Sequence, residues 1–152
     1  MDVDGIVDVA ELKKRWVGFE FDLDDFEVSE QEMLDYALAV GEREPRFVDP
    51  GHPDFQAVPS FPAKFVSRHR VLPEGFPPMG RRSFDAGKCV TALGPIRADM
   101  VLSGKSLIAD IYEKTGRSGP MRFVVHRMEF ANPAGEMVAV VDWRLVQQVG
   151  EE

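Results

Sequence analysis

Met121-Arg122-Phe123-Val124-Val125-His126 and, beyond the turn Asn132-Pro133-Ala134-Gly135, Val141-Asp142-Trp143-Arg144-Leu145 decide the fold of this chain. In the first segment Met121, Phe123 and Val125 alternate with Arg122, Val124 and His126. In the second, Val141, Trp143 and Leu145 alternate with Asp142 and Arg144. Alternation of this kind belongs to a strand with one buried face and one wetter face. Asn132 to Gly135 is turn chemistry, so the two segments form a natural hairpin. Four strand candidates follow in quick succession, near Ser83–Gly94, Val101–Glu113, Met121–Asn132 and Glu136–Val149, with Gly116-Arg117-Ser118-Gly119 turning between the second and third.

Helical signals precede them. Val9, Leu12 and Trp16 share a face, with Lys13, Lys14 and Arg15 outward. Phe19 to Leu23 alternates with a strand period. Ser29-Glu30-Gln31-Glu32 predicts a capping box, with Ser29 capping the helix and Glu32 reaching back. The helix it opens carries Met33, Leu34, Ala37, Leu38 and Val40, and Gly41 suits its end. Glu42 to Phe61 is poor in periodicity and rich in Pro, Gly, Asp and His, which predicts a long overlying loop. Ser60 to Arg70 is a second helical candidate, with Pro59 and Pro62 at or before its first turn and Pro73 beyond it. Helices early and an antiparallel sheet late make an α+β domain, read as one unit over residues 1–152.

The chain has 152 residues, 44% hydrophobic and 29% charged, about one ordinary globular domain. A net charge of −8 argues against sequence-independent nucleic-acid binding and disfavours an anionic membrane surface. No apolar run is long enough to span a bilayer. The acidic start Met1-Asp2-Val3-Asp4 lacks the features of a signal peptide, and the single Cys89 cannot form an internal disulfide, so a cytoplasmic location is expected. Cys89 itself is expected to be a small packing residue on a strand. No His, Cys or carboxylate set has metal spacing, and no phosphate-binding Gly-rich loop or Gly-x-Ser-x-Gly occurs. No cofactor is implied.

Tyr36-Ala37-Leu38-Ala39-Val40-Gly41-Glu42-Arg43-Glu44-Pro45-Arg46-Phe47, followed by Val58-Pro59-Ser60-Phe61-Pro62, resembles the signature region of MaoC-like, R-specific enoyl-CoA hydratases and dehydratases. The resemblance runs from about Val17 to Val149. It includes Ile108-Ala109-Asp110-Ile111-Tyr112-Glu113-Lys114 and Asn132-Pro133-Ala134-Gly135-Glu136, and is closest to the N-terminal, substrate-binding half of two-domain hydratases. It implies a single hot-dog domain, a curved antiparallel sheet wrapped around a short central helix, and places that helix in Ser60–Arg70. In the family, roughly Gly-Asp-x-Asn-Pro-x-His supplies the Asp and His that handle a water and its proton. Here Gly41 and Pro45 fit, but Glu42, Glu44 and Phe47 stand where Asp, Asn and His belong.

Adding water across a conjugated thioester needs a base, an acid and donors for the enolate oxygen. Phenylalanine transfers no proton. Glu42 is a weak candidate for the base, because its extra methylene moves the carboxylate by about an ångström, a misplacement worth on the order of a hundredfold. No catalytic pair follows from these residues. His52 lies in a Pro-bounded loop, His69 between Arg68 and Arg70, and His126 among apolar strand residues. Phe47, Phe55, Phe61, Phe65 and Phe76 are either core or the lining of an acyl slot. The resemblance makes Phe47, Pro59, Ser60, Phe61 and Phe65 candidates for substrate contact. Arg43, Arg46, Lys64, Arg68, Arg70, Arg81 and Arg82 form a basic zone in an acidic chain. Phosphates of CoA or of a carrier protein explain that zone, with Arg46 and Arg81 foremost; so do scattered solvated cations.

Two functional readings follow. In the first, the chain is the non-catalytic, acyl-thioester-binding half of a heteromeric hydratase or dehydratase, acting on fatty acyl or sterol side-chain thioesters. A second hot-dog subunit then brings the Asp and His. In the second, it is an enzyme in its own right, a homodimeric hydratase or a hot-dog thioesterase using Glu42.

Overall fold

Asp8 and Ser29 start the two helices that precede the sheet. In the computed structural model, which describes residues 7–79 and 82–149, the Asp8 carboxylate accepts from the Ala10 N–H at 3.3 Å and opens α1, Val9–Trp16. Leu12 and Trp16 turn inward against Ile108, Ile111 and Val124. Ser29 Oγ accepts from the Glu32 N–H at 3.1 Å and opens α2, Glu30–Ala39. Only that half of the capping box forms, because the Glu32 carboxylate reaches Lys64 at 3.1 Å instead. Gly41, at φ +76°, closes α2 as expected. The Gly41 N–H bonds to the Leu38 carbonyl and the Glu42 N–H to the Ala37 carbonyl, the paired bonds of a Schellman end.

Five strands follow the order β1-β3-β4-β5-β2, every neighbouring pair antiparallel: β1 Glu20–Glu27, β2 Ser83–Ala92, β3 Val101–Gly116, β4 Gly119–Ala131 and β5 Met137–Gln148. The four late strands lie where the sequence puts them. The Asn132–Gly135 hairpin forms, its Asn132 Oδ1 accepting from the Glu136 N–H at 2.9 Å. A bulge in β3 between Ile108 and Asp110 shifts the side-chain parity, so Leu102, Ser106, Ile108 and Ile111 all face inward.

The concave face carries a column of rings. Phe26, Phe61, Phe65 and Phe130 meet at centroid distances of 5.0–5.6 Å, and Tyr36 stands edge-on to Phe61 at 5.6 Å. Met33, Phe55, Leu102, Met128 and Val141 complete this core. Gly104 lets the column lie flat on β3. A Cβ there would stand 2.6 Å from Phe26 Cε2 and 3.0 Å from Phe130 Cε1. Gly104→Ala should therefore cost about 1–3 kcal/mol of stability, read as a drop in the urea midpoint.

One sequence expectation is narrowed and two are corrected. The helix over Ser60–Arg70 shrinks to a 3-10 turn, Phe61–Lys64, after which Phe65 is extended. The Ala63 and Phe65 carbonyls, which a helix would use, accept instead from Lys88 Nζ at 2.8 and 3.1 Å. The sheet thus curls around this turn together with α2. The loop from Glu42 to Phe61 contains a four-residue helix, α3, Pro45–Val48. Cys89 is exposed on the edge strand β2 rather than packed. Among the described residues, no helix is long and apolar enough to cross a membrane.

Candidate functional site

The turn that ends α2 sets out the residues that the family motif would use. With Gly41 reversing the chain, the Glu42 carboxylate folds back on its own loop and accepts the Arg43 and Glu44 N–H groups at 2.9 and 3.0 Å. The Glu44 N–H, then that of Arg43, and more weakly the Arg46 charge hold its carboxyl below the usual carboxylate range. A carboxylate so satisfied is a poor base. Glu44 pairs with Arg46 at 2.9 Å. Pro45 starts α3, which turns Phe47 inward between Ala37 and Val58, 4% exposed, with the Arg46 guanidinium 4.7 Å above its ring. Phe47, expected from the resemblance to stand where the family has His, is packed in an apolar cluster.

The second half of the signature lies close by. Tyr36 Oη hydrogen-bonds Ser60 at its Oγ, 2.9 Å, and its carbonyl, 3.1 Å, tying α2 to the Phe61 turn. Pro59 lines a narrow slit with Pro62, Ala92, Gly94, Val138 and Ala139. Phe61 is fully buried, and Phe65 borders a small void farther along the sheet. Arg81 lies outside the described residues. The basic zone is not assembled into one pocket: Arg46, Lys64, Arg68 and Arg70 each face a carboxylate, those of Glu44, Glu32, Asp24 and Glu74. Among the described residues, no group of three or more His, Cys, Asp or Glu is placed to hold a metal ion.

The histidines separate. His52 Nδ1 accepts from the Asp54 N–H at 3.0 Å within its loop. His69 is exposed and lies 3.2 Å from Asp22 and 3.6 Å from Asp24. His126 is 1% exposed, and neither of its ring nitrogens has a hydrogen-bond partner. Alternation on β4 leaves open which set faces in, and the structure buries Arg122, Val124, His126, Met128 and Phe130. Arg122 is compensated by Glu113 at 3.0 Å and the Val7 carbonyl at 2.7 Å. His126 is not.

Its neighbours form a row that sequence reasoning missed. Lys88 on β2 pairs in register with Trp143 on β5, and Trp143 with His126 on β4. Lys88 Nζ sits 4.9 Å over the Trp143 ring. Burial lowers the Lys88 pKa. Burial, assisted by the Lys88 charge, pushes His126 down to about 4, while Asp22 and the Val71 backbone oppose the shift weakly; Val71 faces the ring without reaching hydrogen-bond geometry. The signal available in sequence was a histidine whose same-face strand neighbours, Val124 and Met128, are both apolar.

That shift has a measurable consequence. In the unfolded chain His126 titrates near 6.5, so between 6.5 and about 4 the unfolded state binds the extra proton. The stability contributed by neutral His126 is complete above 6.5 and is lost as pH falls through that window to about 4. The loss amounts to about 3 kcal/mol. Denaturant titrations at stepped pH should show it in the native chain, and His126→Leu should remove that component.

The fold defines the chain's class: a curved antiparallel sheet wrapped over a short helical segment is the hot-dog architecture of the MaoC-like dehydratases and hydratases. Residues 15–141 match the FAS1-like, dehydratase domain region, and the chain belongs to that family. Among solved structures it is similar to the MaoC-like dehydratase from Rhodospirillum rubrum, at 19% identity and TM-score 0.62, over 93% of this chain and 98% of that one. The C-terminally truncated HadBC (3R-hydroxyacyl-ACP dehydratase) complex from Mycobacterium tuberculosis gives 22% identity and TM-score 0.60, covering 86% and 93%. The ChsH1–ChsH2 complex from the same organism gives 18% and 0.64, covering 95% and 90%. At these identities the likeness shows the fold alone. No curated protein matches the sequence.

Proposed function

We propose that this chain is the non-catalytic, acyl-thioester-binding subunit of a heteromeric hydratase or dehydratase, completed by a second hot-dog subunit that supplies the acid–base pair. The observation that carries the reading is the Glu42–Phe47 turn. There one oxygen of the Glu42 carboxylate is taken by two N–H groups of its own loop, and Phe47 is a buried ring. Two structural neighbours are themselves complexes of two named subunits, HadBC and ChsH1–ChsH2, which favours a partner of the same fold.

The free edges of the sheet suggest where that partner docks. β1, Glu-Phe-Asp-Leu-Asp-Asp-Phe-Glu, is blocked by like charges, a common defence of an edge strand. β2 is exposed along most of its length, carries Phe84 at 61% exposure and is followed by Leu93 at 55%. In this reading the partner pairs with β2, and the acyl tail of a CoA or carrier-protein thioester lies under the segment from Pro59 to Met79.

The test is to mix the purified chain with a short hot-dog protein of its host that has the Asp and His intact, and to follow hydration of crotonyl- and longer enoyl-CoA. Activity should need both chains. Phe84→Glu combined with Leu93→Glu changes two exposed side chains and should leave folding intact while weakening association at least about tenfold, or 1.4 kcal/mol. Sedimentation of the mixture reads that loss. Turnover by the chain alone, abolished by Glu42→Ala, would overturn the reading in favour of a one-carboxylate enzyme.

A further inference from the structure

Three voids follow one another along a single face of β5. The first is the slit at Pro59, bounded by Ala139; the second is bounded by Val141 and Trp143; the third, a cleft of about 380 Å³, is bounded by Trp143 and Leu145. Alternate residues of β5 line all three, and β2 forms the same wall throughout, since Ala92, Val90, Lys88 and Asp85 pair with Ala139, Val141, Trp143 and Leu145. At about 3.3 Å per residue the line is about 20 Å long, and Trp143 lies about 13 Å from Ala139. The third cleft is mainly apolar, walled by Val71, Leu72, Met79, Phe84 and Leu145 as well as Trp143. The middle void is the one bordered by both an ammonium and a buried imidazole.

That middle void has room for about one water-sized group, roughly 10 Å³, between Phe65, Lys88, His126, Met128, Val141 and Trp143. Neutral imidazole carries one donor and one acceptor, and here both lack partners. Lys88 has three N–H donors and uses two, on the Ala63 and Phe65 carbonyls. The void therefore offers a charged donor and one imidazole nitrogen among apolar side chains. A hydroxyl satisfies that pair, accepting from Lys88 and donating to the imidazole nitrogen. A methylene satisfies none and leaves His126 buried and unpaired, an arrangement that costs free energy.

We infer that Lys88 and His126 form a subsite for a hydroxyl group carried on the acyl chain, remote from the thioester and its reacting carbons. The inference rests on the acyl-binding reading above and names the kind of acyl group it favours. Trp143 is the partition over which the rest of the chain continues into the apolar cleft. Lys88 fixes the covering turn and at the same time presents its third proton to the ligand oxygen. His126 positions the hydroxyl by accepting a hydrogen bond from its O–H.

The probe is a set of saturated acyl-CoA thioesters of equal chain length, either unsubstituted or carrying one hydroxyl at successive carbons, titrated calorimetrically into the purified protein. One position along the chain should bind about tenfold tighter than the unsubstituted thioester, the gain from a charge-assisted hydrogen bond. His126→Leu should reduce that preference to about twofold while leaving affinity for the unsubstituted chain within about threefold, since it keeps apolar bulk. In the native protein the imidazole ¹⁵N resonances of His126 should shift with the hydroxylated probe and not with its unsubstituted twin, a readout that does not depend on how a variant folds. Equal binding across the set, with no change at His126, would overturn the inference and leave the acyl-binding reading standing, the void then holding water. Failure of every thioester to bind would overturn both.

Discussion

Enoyl-CoA given to the purified chain alone should remain unhydrated at the background rate, and the assembled complex should lose no more than a few-fold when Glu42 becomes Ala. A general acid–base pair contributes on the order of 10²–10⁴-fold to such a reaction, so its absence is a large effect in a continuous absorbance assay. The geometry explains both halves of the result. Glu42 accepts two N–H groups of its own loop, which hold its carboxyl below the usual range and fix the oxygen away from service as a base. Phe47 lies under Arg46 and between Ala37 and Val58, where a proton-transferring group is neither present nor exposed. For the same reason Phe47→His should not restore activity by itself: the imidazole would enter a closed apolar cluster and destabilise the turn, because a buried polar group without a partner is costly.

Phe61→Ala should be the most damaging single substitution in the core, lowering stability by about 3–5 kcal/mol. Phe61 is 0% exposed and joins Tyr36 to Phe65, so it links α2, the 3-10 turn and the ring column on the sheet. Domains of this size are stable by about 5–15 kcal/mol in total. With a urea slope of about 2 kcal/mol per molar, the midpoint should fall by about 2 M. Tyr36→Phe is the control, since it keeps the ring and loses only the bonds to Ser60. It should cost about 1 kcal/mol. The comparison separates ring packing from the polar tie at the start of the covering segment.

Much of this architecture is local and was therefore legible in the chain. Strand alternation marks β4 and β5, Ser29 and Gly41 mark the two ends of α2, and Asn132 to Gly135 marks the hairpin. Each of these signals depends on backbone geometry within a few residues. The Glu42 and Phe47 substitutions in the family motif were equally readable, because the question there is which chemical group stands at a given place. Where the short helix within Ser60–Arg70 stops was not legible, because the Ala63 and Phe65 carbonyls are taken by Lys88, a residue on a later strand, and no local pattern reveals that competition.

The sequence by itself determined that this is an α+β domain with an antiparallel sheet, and that its resemblance lies with the MaoC-like enzymes. Only the tertiary structure decided which face of β4 is buried, because alternation leaves two choices and the pairing register with bulges selects one. By that selection His126 enters the interior without a partner, and Lys88 and Trp143, from two other strands, come to stand beside it. Their meeting is a product of sheet topology, which brings residues far apart in the chain onto one line across β2, β5 and β4. Period and propensity act along the chain; that line runs across it.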